Sequence, residues 1–105
     1  MKHNFSKSFF KSLRKLNNKQ LNKEVAGVVL QIEKANTLSE ISSLIKLKGF
    51  DEYFRIRVGN YRIGAKLLGD TLWLIVIDDP KNIYTRFPWL NISVLSSIQK
   101  LSLLL

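Results

Sequence analysis

Apolar residues recur at two spacings along this chain, and the change from one to the other falls at Lys48-Gly49. Upstream, Phe5, Phe9, Phe10, Leu13 and Leu16 follow helical spacing, while Lys7, Lys11, Arg14 and Lys15 fall largely outside that stripe. Asn17 and Asn18 break the pattern. A second helix is predicted from about Lys19 to Ala35, with Leu21, Val25, Val28, Val29 and Ile32 along one side. Asn36 is a stop, and Thr37 followed by Glu40 is a capping box that starts a short helical turn. Leu38, Ile41 and Leu44 are expected to pack that turn down.

Beyond Gly49 the period becomes two. Residues 53–58, 61–68 and 71–78 each read as a strand, separated by Gly59-Asn60 and Gly69-Asp70, both suited to tight two-residue hairpins. A short strand at Lys2 to Asn4 has room to join the edge. Pro80 and Pro88 punctuate a turn, and a last amphipathic segment carries Val94, Leu95, Ile98 and Leu101. The expected fold is α+β, a small single domain over 1–105. A helical hairpin (about 5–36) packs on an antiparallel three- to four-stranded meander (53–78), followed by a C-terminal helix (89–104).

Hairpin register turns this pattern into chemistry. With Gly59-Asn60 as the loop, Val58 pairs with Tyr61, Arg57 with Arg62, Ile56 with Ile63 and Arg55 with Gly64. Alternation then gives Phe54, Ile56, Val58, Tyr61, Ile63, Ala65 and Leu67 a core face, and Arg55, Arg57, Arg62 and Lys66 the opposite one. Like charges directly across a sheet destabilise it by roughly 0.2–1 kcal/mol. An anion between Arg57 and Arg62 converts that cost into binding, because guanidinium forks match phosphate oxygens. The competing reading makes them solvated residues paired with Asp51 or Glu52; four cations on one face without an interleaved acid favour phosphate. Gly64, lacking a side chain beside Arg55, leaves room for a ligand backbone. The second hairpin sets Trp73, Ile75 and Ile77 on the arginine side, an apolar strip that the C-terminal helix or a partner protein must cover. Trp73 has a choice between such packing and stacking on a base.

Composition narrows the function classes. The 105 residues include 17 Lys and Arg against 8 Asp and Glu, a formal charge of +9 that draws polyanions. The helical cations Lys7, Lys11, Arg14, Lys15, Lys19 and Lys23 read equally as wet helix faces. Without cysteine there is no disulfide or thiolate chemistry, and His3, near a terminus, argues against a zinc site or a Ser-His-Asp arrangement. Lys7, Lys11 and Arg14 interrupt the first apolar cluster, so no signal peptide is expected. No stretch approaches the roughly 20 apolar residues that span a bilayer. A cytoplasmic location is the expectation.

The stretch Ile45-Lys46-Leu47-Lys48-Gly49, then Tyr53-Phe54-Arg55-Ile56-Arg57-Val58-Gly59-Asn60-Tyr61-Arg62-Ile63-Gly64, resembles the RelE/ParE toxin superfamily. Asn82-Ile83-Tyr84-Thr85-Arg86-Phe87-Pro88 resembles that family's closing segment, and Ala35-Asn36-Thr37-Leu38-Ser39-Glu40-Ile41 its lead-in; the ordered match runs from about Phe5 to Pro88. The resemblance implies a toxin of a type II toxin–antitoxin pair. RelE-like members cleave mRNA in the ribosomal A site, using sheet cations to orient and neutralise the scissile phosphate for in-line attack by the 2′-hydroxyl. ParE-like members poison DNA gyrase. Carried over by position, Arg55, Arg57 and Arg62 match the phosphate-binding cations and Tyr84 the C-terminal tyrosine. Lys46, Lys48, Lys66, Lys81 and Arg86 are further RNA-binding candidates. Relatives usually carry a His-Arg pair four to five residues before that tyrosine; here Asp79-Pro80 stands there, preceded by Asp78.

Register points to a phosphate-binding face, and the resemblance implies a ribosome-dependent endoribonuclease with no metal or cofactor. The alternatives are a ParE-like gyrase inhibitor without nuclease activity and a catalytically degenerate antitoxin-binding module, the latter motivated by Asp78-Asp79-Pro80. The expected partners are mRNA on the ribosome and a cognate acidic antitoxin. A partly helical antitoxin segment would neutralise the basic groove and cover apolar strand positions and the trailing Leu101-Ser102-Leu103-Leu104-Leu105.

Overall fold

Short polar side chains decide where the helices start. In the computed structural model, which describes residues 1–87, strand β1 (Lys2–Phe5) leads into helix α1 (Lys7–Leu16), and helix α2 (Lys19–Lys34) follows. Ser6 Oγ accepts the Phe9 N–H at 3.1 Å, and Asn18 Oδ1 accepts the Leu21 N–H at 3.0 Å. Between the helices, Asn17 takes a left-handed conformation (φ 47°) and closes α1. The two asparagines that break the apolar stripe are thus a C-cap and an N-cap in succession. The Thr37–Glu40 capping box is formed, and a single 3-10 turn, Leu38–Glu40, follows it.

Strands β2 (Leu44–Lys46), β3 (Tyr53–Val58), β4 (Tyr61–Leu68) and β5 (Thr71–Asp78) complete a sheet of order β1-β5-β4-β3-β2. Both hairpins close as the sequence predicts, with Val58 opposite Tyr61, Arg57 opposite Arg62, and Leu68 opposite Thr71. Two features correct the expected meander. The sheet has five strands rather than three or four, and it is mixed, because β1 runs parallel to β5. Leu44 is not part of the helical turn; it opens β2, pairing with Ile56. The chain reaches that edge through Ser43, whose backbone is left-handed (φ 63°). Three residues are too few for a period of two to register.

Helices α1 and α2 cover one face. Phe9, Leu21, Val25 and Ile32 bury against Ile56, Val58, Ile63, Ala65, Leu72, Leu74 and Ile77. Each such large side chain contributes roughly 1.5–3 kcal/mol relative to exposure. Phe10, expected in the stripe, is instead 48% exposed. Its ring stands 5.1 Å from that of Phe5, on the flank of the core. Among the described residues, no helix is long and apolar enough to cross a membrane. The expected C-terminal helix (89–104) lies outside the described residues.

The register of β4 against β5 slips between Gly64 and Ala65: Ala65 faces Leu74, whereas Gly64 faces Val76. Ile75 is the extra residue of a β-bulge. Before the bulge, Trp73 stands opposite Lys66 on the arginine side, as expected. After it, the faces exchange. Ile77, predicted beside the arginines, lies opposite Ile63 in the core, and Val76 and Asp78 take the arginine side. Helix α1 satisfies the backbone groups that the bulge leaves without ladder partners. Ser6 Oγ and Ser8 Oγ donate to the Ile75 carbonyl at 2.8 and 2.6 Å. The buried Ser12 Oγ accepts the Ile77 N–H at 3.0 Å and donates to the Phe9 carbonyl at 2.8 Å. Ser12→Ala strands a buried N–H, so an equilibrium urea melt is expected to show a loss of about 1–3 kcal/mol. A change under 0.5 kcal/mol would mean that the bulge does not depend on this serine.

Candidate functional site

The β3–β4 hairpin holds the cations in place. Gly59 takes the positive φ (56°) that its tight turn requires, and Arg57 and Arg62 stand directly opposite each other behind it. Arg55 lies opposite Gly64, two residues further along. Arg55, Arg57 and Arg62, with Ser43 and Ile45, line a cavity of about 240 Å³. Arg57 is exposed, while Arg55 and Arg62 are half-buried. The ion pairs among the described residues are Lys2–Asp70, His3–Glu33 and Lys46–Asp51, and none includes these arginines. Asp51 is therefore engaged with Lys46, at 3.5 Å, rather than with the cation cluster. Arg62 Nη1 donates to the adjacent Tyr61 carbonyl at 2.9 Å, which turns its fork relative to the strand.

Helix α3 (Pro80–Arg86) brings Tyr84 to this cluster. Arg55 Nη1 donates to the Tyr84 hydroxyl, and the guanidinium carbon lies 6.0 Å from the ring centroid. The helix corrects the reading of Pro80 as part of a turn: Asp79 is the N-cap and Pro80 the first helical residue, where its missing N–H is no loss. Asp79 Oδ1 accepts the Asn82 N–H at 2.8 Å, and Oδ2 accepts its side-chain amide at 3.1 Å. That aspartate serves the helix. Asp78 is the carboxylate on the arginine side, directly opposite Arg62, with Oδ1 accepting the Asp79 N–H at 2.8 Å.

A second apolar cluster anchors α3. Tyr53, Val76, Ile83 and Phe87 are buried together, with Leu47, Phe50 and Ile75 packed around them. The Phe87 ring lies over Gly64 so closely that a Cβ added there would stand 2.6 Å from ring carbons. The space expected to admit a ligand backbone is thus filled from within the chain. Phe87 can dock because residue 64 is glycine, and its docking holds Tyr84 against Arg55. Gly64→Ala is expected to displace the ring and cost about 1–3 kcal/mol in a denaturant melt, the usual penalty of overpacking; unchanged stability would rule this contact out as the anchor.

The remaining candidates scatter. Lys66 shares the arginine face, its Nζ 5.1 Å from the centroid of the Tyr53 ring, with half-buried Trp73 across from it. Lys48, in the β2–β3 connection, and Lys81, in the first turn of α3, are exposed. Arg86 is the last residue of α3. Lys46 is not brought to the cavity: it pairs with Phe54, and alternation along β2 gives the arginine side to Ile45, opposite Arg55. Sequence reasoning missed Ser43 and Ile45. No local signal marks Ser43, since serine is not a usual choice for a left-handed position, which costs an L-residue roughly 1–2 kcal/mol. Among the described residues, no group of three His, Cys, Asp or Glu side chains could hold a metal ion.

No protein-family model matches the chain. It is 36% identical over 89 residues to a protein named Toxin RelE3 from Methanocaldococcus jannaschii, spanning 84% of this chain and 100% of that protein. In the crystal structure of the RelB-RelE antitoxin-toxin complex from Methanococcus jannaschii, one chain superposes with a TM-score of 0.68 and 34% identity, over 80% of this chain and 98% of that one. YafQ from E. coli shares the fold, with a TM-score of 0.58 and 17% identity over 78% of this chain and 96% of its own.

Proposed function

The chain belongs to the RelE family of toxins of toxin–antitoxin systems, and from that premise we propose that it is an endoribonuclease cleaving ribosome-bound mRNA. The observation that carries the reading is the convergence of Arg55, Arg57 and Arg62 on one cavity, without an ion pair to neutralise them among the described residues. The Tyr84 hydroxyl holds Arg55 and the Tyr61 carbonyl holds Arg62, and with the exposed Arg57 they set cationic donors around a cavity that an anion can enter. Such preorganised charge is most effective where negative charge grows, on the equatorial oxygens of a pentacoordinate phosphorus.

In the proposed reaction the ribose 2′-oxygen attacks phosphorus and forms the 2′-O–P bond as the P–O5′ bond breaks. The 2′ proton leaves to a base or water, and the departing 5′-oxygen takes up a proton. The products carry a 2′,3′-cyclic phosphate and a 5′-hydroxyl. Tyr84, accepting from Arg55, keeps its own O–H free to donate to a phosphate or leaving-group oxygen. Lys48, Lys66, Lys81 and Arg86 contribute longer-range attraction to the RNA backbone. The expected inhibitor is an acidic antitoxin, a reading supported by the antitoxin–toxin complex of the structural relative. A ribosomal target implies action in the cytoplasm.

Asp78 supports a second reading, binding without cleavage, because it sets a negative charge opposite Arg62 on the phosphate side. Both are tested by inducible expression in bacteria with mapping of mRNA 5′ ends. Growth arrest with codon-phased new ends is expected, and Arg62→Ala should fold normally while lowering cleavage about 10²–10³-fold, the usual consequence of losing one preorganised donor. No arrest from folded wild-type protein favours the binding module. Arrest with intact mRNA and inhibited supercoiling would point to gyrase and overturn the nuclease.

A further inference from the structure

Two residues of the arginine cavity carry no charge. Ser43 stands at its rim with a left-handed backbone, and Ile45, 50% exposed, projects beside Arg55. The backbone of Ser43 already has a task, its carbonyl accepting the Arg57 N–H at 3.3 Å, and glycine would perform that task without strain. A serine kept in a strained conformation beside a binding cavity points to use of its side chain. The arginines share the cavity of about 240 Å³ with these two uncharged side chains. Guanidiniums supply donors alone, whereas a serine hydroxyl both donates and accepts, which suits a neutral hydroxyl group better than an anion.

We propose that β2 and the residue before it supply a ribose subsite, in which the Ser43 hydroxyl exchanges a hydrogen bond with a ribose 2′-hydroxyl next to the arginine-held phosphate. Ile45 is the apolar wall against the sugar ring. The inference rests on the phosphate reading of the cavity and deepens it: the arginines bind any nucleic-acid backbone, and Ser43 distinguishes RNA from DNA. It also gives β2, an edge strand of three residues, a role besides capping the sheet.

The test compares the affinity of the full chain, by fluorescence anisotropy without ribosomes, for a labelled six-nucleotide RNA and the DNA of the same sequence. Probe integrity is checked after each titration. Wild type should bind the RNA about fivefold more tightly, the scale of one neutral hydrogen bond. Ser43→Ala should abolish the preference and leave DNA affinity unchanged. Ser43→Gly should abolish it as well while raising the melting temperature, which separates loss of the hydroxyl from loss of the fold. Arg62→Ala should weaken RNA and DNA binding alike. A preference that survives Ser43→Ala, or none in wild type, overturns the ribose subsite while the phosphate reading stands on Arg62→Ala. Unchanged binding of both probes by Arg62→Ala overturns the phosphate reading and the subsite with it.

Discussion

Hydrogen bonds from Ser6, Ser8 and Ser12 to the backbone of β5 decide what the far side of the sheet can do. They satisfy the Ile75 carbonyl and the Ile77 N–H, and so make a bulge tolerable in the middle of a buried strand. The bulge exchanges the faces of everything that follows it. Ile77 enters the core, and Val76 becomes part of the apolar floor on which Ile83 and Phe87 settle. Those contacts dock α3, and α3 carries the Tyr84 hydroxyl to Arg55. A regular strand would present Ile77 to the arginine side and Val76 to the core, leaving α3 a different surface. The Arg55–Tyr84 geometry is thus linked through one strand irregularity to serines at the cap and on the body of the first helix.

The cation cluster is tolerated because it is small against the core beneath it. One arginine directly opposite another costs roughly 0.2–1 kcal/mol, whereas each large buried side chain on the other face returns roughly 1.5–3 kcal/mol. Ile56 and Ile63, neighbours of those arginines in the same strands, are wholly buried. The hairpin can hold like charges together in the absence of an anion. Glycine supports the arrangement twice, at the Gly59 turn and at Gly64 beneath the Phe87 ring.

Much of this was legible in the sequence, where a strong local rule governs. The two-residue turns determined both hairpins and with them the shared face of Arg55, Arg57 and Arg62. The Asn17-Asn18 pair marked the helix boundary, and alternation placed Trp73 correctly. Period alone cannot reveal a bulge, because its cause lies in Ser12, more than sixty residues away in the chain. For that reason unbroken alternation assigns Ile77 to the arginine face, whereas it lies in the core opposite Ile63. The three residues of β2 are too few to show a period, so spacing alone groups Leu44 with the helical turn and gives Ile45 no face. Asp79-Pro80 is different: an N-cap followed by proline at the first helical position is a signal the sequence does carry. The helix that this signal starts is only seven residues long, and Pro80 is its first residue rather than part of a turn. Gly64 was recognised as a place of close approach, but its occupant, Phe87, could come only from the tertiary structure.

If the arginine cavity stabilises attack of a 2′-hydroxyl on the adjacent phosphate, as proposed, the ends of the RNA fragments carry its signature. End-group analysis of the RNA fragments tests it most directly, using purified protein and ribosomes programmed with a defined mRNA. Upstream fragments ending in a 2′,3′-cyclic phosphate and downstream fragments beginning with a 5′-hydroxyl are expected. Fragments with 3′-hydroxyl and 5′-phosphate ends would mean that water is the nucleophile, and would contradict it.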